Sequence, residues 1–214
     1  MLVKINLLLI VLFAAFNACD STASRSPEFK NEATIRQKDS CDDPDANIEC
    51  SFLNMPGKVT SVAYIPSSDN SAKRMIIRGR LLRANGQQPI EGAVIYFYHT
   101  DAKGYYSKSG KERGVQKWHG RHHSWCITGK NGEYELQTIL PAPYPDNTMP
   151  AHIHTAIKEK GKQPYYINDF VFADDPMVGE KYFSYLRLDG GNGVVHLKDT
   201  NGIVVGMRDI LIKK

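Results

Sequence analysis

The chain is short of the features that mark several broad classes of protein. It has no block of like charge: 27 basic residues stand against 23 acidic ones, a net charge of +4, and the lysines and arginines are scattered. A nucleic-acid-binding stripe is therefore not expected. It has no apolar run approaching the roughly 20 residues of a membrane-spanning helix. It has no sustained 3.6-residue hydrophobic period, so no long amphipathic helix is expected. It has four cysteines but no second close pair of the kind a zinc ribbon needs. It contains no internal repeat.

What is plentiful points to β-structure. There are 17 glycines, 11 prolines and 11 tyrosines, and the apolar runs are short and broken by turn residues. Hydrophobic residues make up 42% of the chain, enough for a core, and 214 residues suggest one domain with a tail. Strands are expected over 59–64, 75–83, 90–99, 124–128, 133–139, 151–159, 169–173, 193–198 and 208–212, with Asn85-Gly86 and Lys130-Asn131-Gly132 as turns. One short helix is expected within 176–186. The expected fold is an all-β sandwich of about eight strands.

The first 18 residues read as an export signal. Lys4 precedes an apolar stretch from Ile5 to Phe16 that is too short to span a membrane comfortably. Ala18-Cys19 then resembles a lipoprotein cleavage site, with Cys19 as the lipidation site; an ordinary secretory signal or a short anchor is the alternative. An exported protein, held to a membrane in the periplasm or at the cell surface, is expected. Residues 19–54 are polar and read as a flexible tether, with 55–214 as the folded domain. Within the tether Cys41 and Cys50 are expected to pair in an oxidising compartment, contributing about 2–3 kcal/mol; a metal-binding thiol pair is the alternative. Cys126, between Trp125 and Ile127, reads as a buried strand thiol.

The stretch Pro143-Tyr144-Pro145 to His152-Ile153-His154 carries the chemistry. In a strand, residues i and i+2 share a face, so both imidazoles can reach one metal ion while Ile153 turns into the core. A phenolate nearby is a hard donor, suited to a ferric ion more than to zinc.

These residues, with Gly79-Arg-Leu-Leu through Gly92-Ala93, Tyr98 to Tyr106, Thr128 to Tyr134, Thr138-Ile139 and Phe172 to Pro176, resemble the intradiol ring-cleavage dioxygenases. The resemblance runs from about residue 75 to 212. It implies a β-sandwich holding non-haem Fe(III) through Tyr106, Tyr144, His152 and His154, and a reaction that inserts O₂ into a catechol-type aromatic diol. It implies that Tyr144 is both ligand and catalytic base and that Tyr106 stays bound. The Gly-x-Tyr spacing from Gly104 selects Tyr106 over Tyr105. The chain departs from the family pattern at Met149, where an arginine is usual, and at Asp169, where a glutamine is usual. The Trp118 to Trp125 stretch, with three histidines, is expected as a loop at the mouth of the site, with Arg121 contacting substrate in place of the missing arginine. The rival reading is a non-catalytic cell-surface β-sandwich that binds carbohydrate, polymer or another protein.

Overall fold

The computed structural model describes residues 41–213. The export signal, Cys19 and the tether up to residue 40 lie outside the described residues. Two six-stranded sheets face each other. The strands are β1 (Val62–Tyr64), β2 (Arg74–Arg83), β3 (Val94–His99), β4 (His123–Ile127), β5 (Glu133–Ile139), β6 (His152–Lys158), β7 (Tyr165–Tyr166), β8 (Phe170–Phe172), β9 (Val194–Val195), β10 (Leu197–Thr200), β11 (Ile203–Met207) and β12 (Ile210–Ile212). Among the described residues three one-turn helices accompany them: α1 (Cys50–Leu53), α2 (Gln116–His119) and α3 (Glu180–Ser184).

The first sheet runs β1-β5-β2-β11-β10, with β12 continuing beside β2. The second runs β4-β3-β6-β8-β9, with β7 beside β6. Alternation along each strand builds the core between them. Met75, Ile77 and Leu81 point inward from β2, Ile95 and Phe97 from β3, Leu136 from β5, and Ile153 and Ile157 from β6. Each is essentially fully buried.

The sandwich is the expected one, but it holds more strands. The run expected as one strand over 193–198 changes sheets at His196. Val194 and Val195 pair with β8 in the second sheet, whereas Leu197 pairs with Gly206 in the first. β11 was not foreseen, although Asn201-Gly202 announces its hairpin. Both residues have positive φ, +54° and +85°, as a tight two-residue turn requires.

The folded part also begins earlier than residue 55. Cys41 and Cys50 are joined by a disulfide, with their Cα atoms 5.4 Å apart. Both are buried against Val115. Phe52 packs with Tyr96, Trp125 and Ala156 on the outer face of the second sheet. Trp125 Nε1–H donates to the Ser51 carbonyl (2.8 Å). Residues 41–54 therefore cover a sheet face and are not a tether. Cys126 is a buried free thiol whose pKa is pushed up to about 12 by burial, as a strand cysteine in a core should be.

Candidate metal centre

The outer face of the second sheet carries the site. β6 sends Ile153 into the core and so turns His152 and His154 outward. β3 is paired beside it with Tyr98 opposite His154. Two loops bring the phenols. Tyr106 lies between β3 and α2, and Tyr144 lies between β5 and β6. The two loops are tied together. Thr100 Oγ1–H donates to the Ala142 carbonyl (2.7 Å), and Ala142 N–H donates to the Asp101 carbonyl (3.1 Å). The Asp101 carboxylate accepts from the backbone N–H groups of Lys103 and Tyr105, which closes the turn before Tyr106. Of the adjacent pair, Tyr105 is exposed and Tyr106 is half-buried, facing the histidines' side.

Four donor atoms converge. Tyr106 Oη is 2.8 Å from Tyr144 Oη. Tyr144 Oη is 3.2 Å from His152 Nε2 and 3.4 Å from His154 Nε2. The two Nε2 atoms are 3.1 Å apart. Their tautomers follow from the far side of each ring. His152 Nδ1 is 2.7 Å from the Pro150 carbonyl, which only accepts, so Nδ1 carries the hydrogen. His154 Nδ1 is 3.1 Å from Asp169 Oδ1, and the same holds. In the neutral form of each ring, Nε2 therefore presents a bare lone pair to one point.

Burial acts in the same direction. It lowers the His152 pKa, with the neighbouring His154 adding to the effect, so the imidazole stays neutral. It raises both phenol pKa values, so neither tyrosine ionises unaided. Two facing lone pairs with no proton between them, and two buried phenols beside them, call for a cation. Two hard oxygen donors and two imidazoles suit a ferric ion.

Asp169 also has an oxygen within 4.8 Å of a ring nitrogen of each histidine. Its oxygen meets the Nδ1 side of His154, away from the convergent point. It orients the ring, as carboxylates commonly do behind metal-binding histidines. Tyr98 holds the same ring from its face: its centroid is 4.6 Å from that of His154, and it also stacks on His119 at 3.7 Å. Neither role was foreseen. For Tyr98 the available signal was its alternation with the core residue Phe97 in a strand beside the His-x-His strand.

Arg121 does not join the four. Its Nη1–H donates to Ser68 Oγ (3.2 Å), and its backbone N–H pairs with Ser107. The histidine-rich stretch is not a plain loop either, since it holds the end of α2 and the start of β4. His119 is buried and bonded to the Tyr96 hydroxyl (2.8 Å). His122 is buried and stacked on His99, and His123 is held by the Gly120 carbonyl. His119 and His123 join the aromatic packing around Tyr96 on the sheet face, whereas His122 goes with His99. Met149, where the arginine was expected, is 39% exposed on the Tyr144 loop.

Comparison with known proteins gives one consistent result. The family model described as "Dioxygenase" matches residues 51–188. A catechol 1,2-dioxygenase of Acinetobacter baylyi is 31% identical over 127 residues, covering 57% of this chain and 40% of that protein. One from Acinetobacter lwoffii is 27% identical over 108 residues, covering 50% of this chain and 34% of that protein. The chain thus matches well under half the length of these relatives. Among solved structures, the dioxygenase domain of a dioxygenase and carbohydrate-binding protein fusion from Streptomyces sp. SirexAA-E superposes with a TM-score of 0.55 at 17% identity, covering 74% of this chain and 91% of that one. Catechol 1,2-dioxygenase from Acinetobacter sp. ADP1 superposes with a TM-score of 0.53 at 23% identity, covering 76% and 60%. At these identities the superpositions speak for the fold.

Proposed function

The chain belongs to the intradiol dioxygenase family, and from that premise we propose that it is a non-haem Fe(III) dioxygenase that opens the ring of a catechol-type diol with O₂. The observation that carries the reading is the convergence of two bare imidazole nitrogens, 3.1 Å apart, with two phenol oxygens. Tyr106, Tyr144, His152 and His154 would hold the ion. When bound, Fe(III) supplies a Lewis acid that stabilises phenolates and binds a diol through oxygen. Both atoms of O₂ enter the product, a ring-opened diacid.

The protein's own groups divide the work. His152 and His154 are fixed in place, one anchored by the Pro150 carbonyl and the other by Asp169. Tyr144 alone is in reach of the other three donors. Burial raises its proton affinity. A Tyr144 phenolate not held by a cation therefore takes a proton readily, and a diol hydroxyl in the site is the donor at hand. Tyr106, in reach of Tyr144 alone among the donors, is assigned as the ligand that stays in place.

We also propose that the protein is exported and anchored by lipid at Cys19, on the strength of the apolar leader and Ala18-Cys19. Cys19→Ser is expected to move the protein from the membrane fraction to the soluble one.

Purified protein loaded with ferric iron is expected to be burgundy to red from phenolate-to-iron absorption. Tyr144→Phe is expected to shift or bleach that colour and to abolish oxygen uptake with catechols. A colourless protein that takes up no ferric ion would leave the rival, a non-catalytic surface module.

A further inference from the structure

A mostly apolar cavity of about 320 Å³ is walled in part by the loop that joins Tyr144 to His152, although none of the four donors lines it. One wall is the 148–150 stretch, with Met149; the other is Met177 and the α3 region, with Tyr182 and Tyr185. Two lining residues also serve the cluster. The Pro150 carbonyl anchors His152. Tyr182 is buried near enough to Asp169 for that carboxylate to act on its phenol. The walls are fixed to each other by one side chain. Asp175 Oδ2 accepts from Ala151 N–H (2.8 Å), and Asp175 Oδ1 accepts from Met177 N–H (2.9 Å). The gap between the walls is therefore built into the fold and does not wait for a ligand. Its charged lining is Glu180 and Lys181, one residue of each sign.

We propose that this cavity receives a bulky uncharged substituent on the ring of the diol. The preferred substrate is then a catechol carrying an alkyl group or a second aryl ring, not catechol itself and not a carboxylated catechol. The proposal rests on the dioxygenase reading above. The volume lies at the small end of the range for ligand pockets, about 300–1,000 Å³. It suits a ring-sized group whose parent molecule reaches the cluster. Thioethers at Met149 and Met177 adapt to an aromatic ring and gain from sulfur–aromatic contact. A carboxylate in the same place would meet Glu180 as well as Lys181, with no net positive charge to attract it.

Gly179 offers the test. A β-carbon there would meet nothing within 4 Å, and its backbone is extended (φ −148°), so a larger residue fills the cavity without strain. Ferric-loaded protein is titrated without oxygen with catechol, 4-phenylcatechol and 3,4-dihydroxybenzoate. The visible phenolate–iron band and calorimetry report binding. The phenyl compound is expected to bind about tenfold tighter than catechol, from the apolar area it buries, and the carboxylate no tighter. Gly179→Leu, with its ferric colour showing an intact centre, is expected to bring the phenyl-to-catechol ratio close to one. Equal affinity for phenylcatechol and catechol in the unaltered protein overturns the proposal, whatever the variant does. So does an unchanged ratio in a coloured Gly179→Leu variant. A protein that binds none of the three diols overturns the dioxygenase reading itself, and the proposal with it.

Discussion

A β-carbon on Gly104 would lie 2.1 Å from the carbonyl oxygen of Pro143. The loop that delivers Tyr106 thus runs backbone against backbone over the loop that delivers Tyr144. Gly104 also sits at φ +85°, a conformation open to glycine at little cost.

Gly104→Ala is therefore expected to cost at least about 1–2 kcal/mol from the backbone conformation alone. It should also push the two phenols apart. The expected result is a lower urea midpoint together with a weakened or shifted phenolate–iron band. An unchanged midpoint with unchanged colour would mean that the two loops are positioned independently.

Asp169 accepts from Nδ1–H of His154 and so keeps Nε2 bare toward the other donors. Asp169→Ala is expected to weaken ferric binding about 10–100-fold, the usual cost of removing a partner behind a metal-binding histidine. Asp169→Asn keeps an accepting carbonyl in place and should recover much of that loss. Competition with a chelator measures both. Failure of the Asn variant to recover anything would instead make the carboxylate a ligand.

His99 is buried between the sheets, bonded to the Thr100 carbonyl and Thr138 Oγ1, and desolvation lowers its pKa to about 3. The unfolded chain takes up this proton near its ordinary value of 6.5, whereas the folded protein refuses it until about 3. Between those values the unfolded state binds more protons, so stability falls as pH falls. Above 6.5 the contribution is complete and flat. The slope from His99 is expected to approach about 1.4 kcal/mol per pH unit. His119, also lowered to about 3 by burial, adds a parallel loss. Urea midpoints between pH 7 and 4 test this, and His99→Gln should reduce the slope; a variant with the same slope would assign the acid sensitivity elsewhere.

Some of the site was legible because its cause is local. The two-residue period of a strand is enough to put His152 and His154 on one face and Ile153 on the other. The choice of Tyr106 over Tyr105 needed the family spacing, because the loop that carries them is not a regular strand. Arg121 looked free to serve the site, but Ser68 lies 3.2 Å from its guanidinium and Ser107 pairs with its backbone. Those partners are remote in sequence and leave no trace near residue 121. The same holds for Phe52. Its polar neighbourhood suggested a tether, and only the second sheet's outer face, with Tyr96 and Trp125, explains its burial.

The sequence by itself determined the class of fold, the strand that presents the histidines and the kinds of donor available. These follow from alternation, turn residues and side-chain chemistry, all set within a few residues. The tertiary structure alone decided that four donors meet at one point, that Asp169 and Tyr98 hold His154, and that an apolar gap lies beside Met149. Each of these is a distance between segments far apart in the chain. Such distances depend on how two sheets pack and where a strand such as 193–198 leaves one sheet for the other.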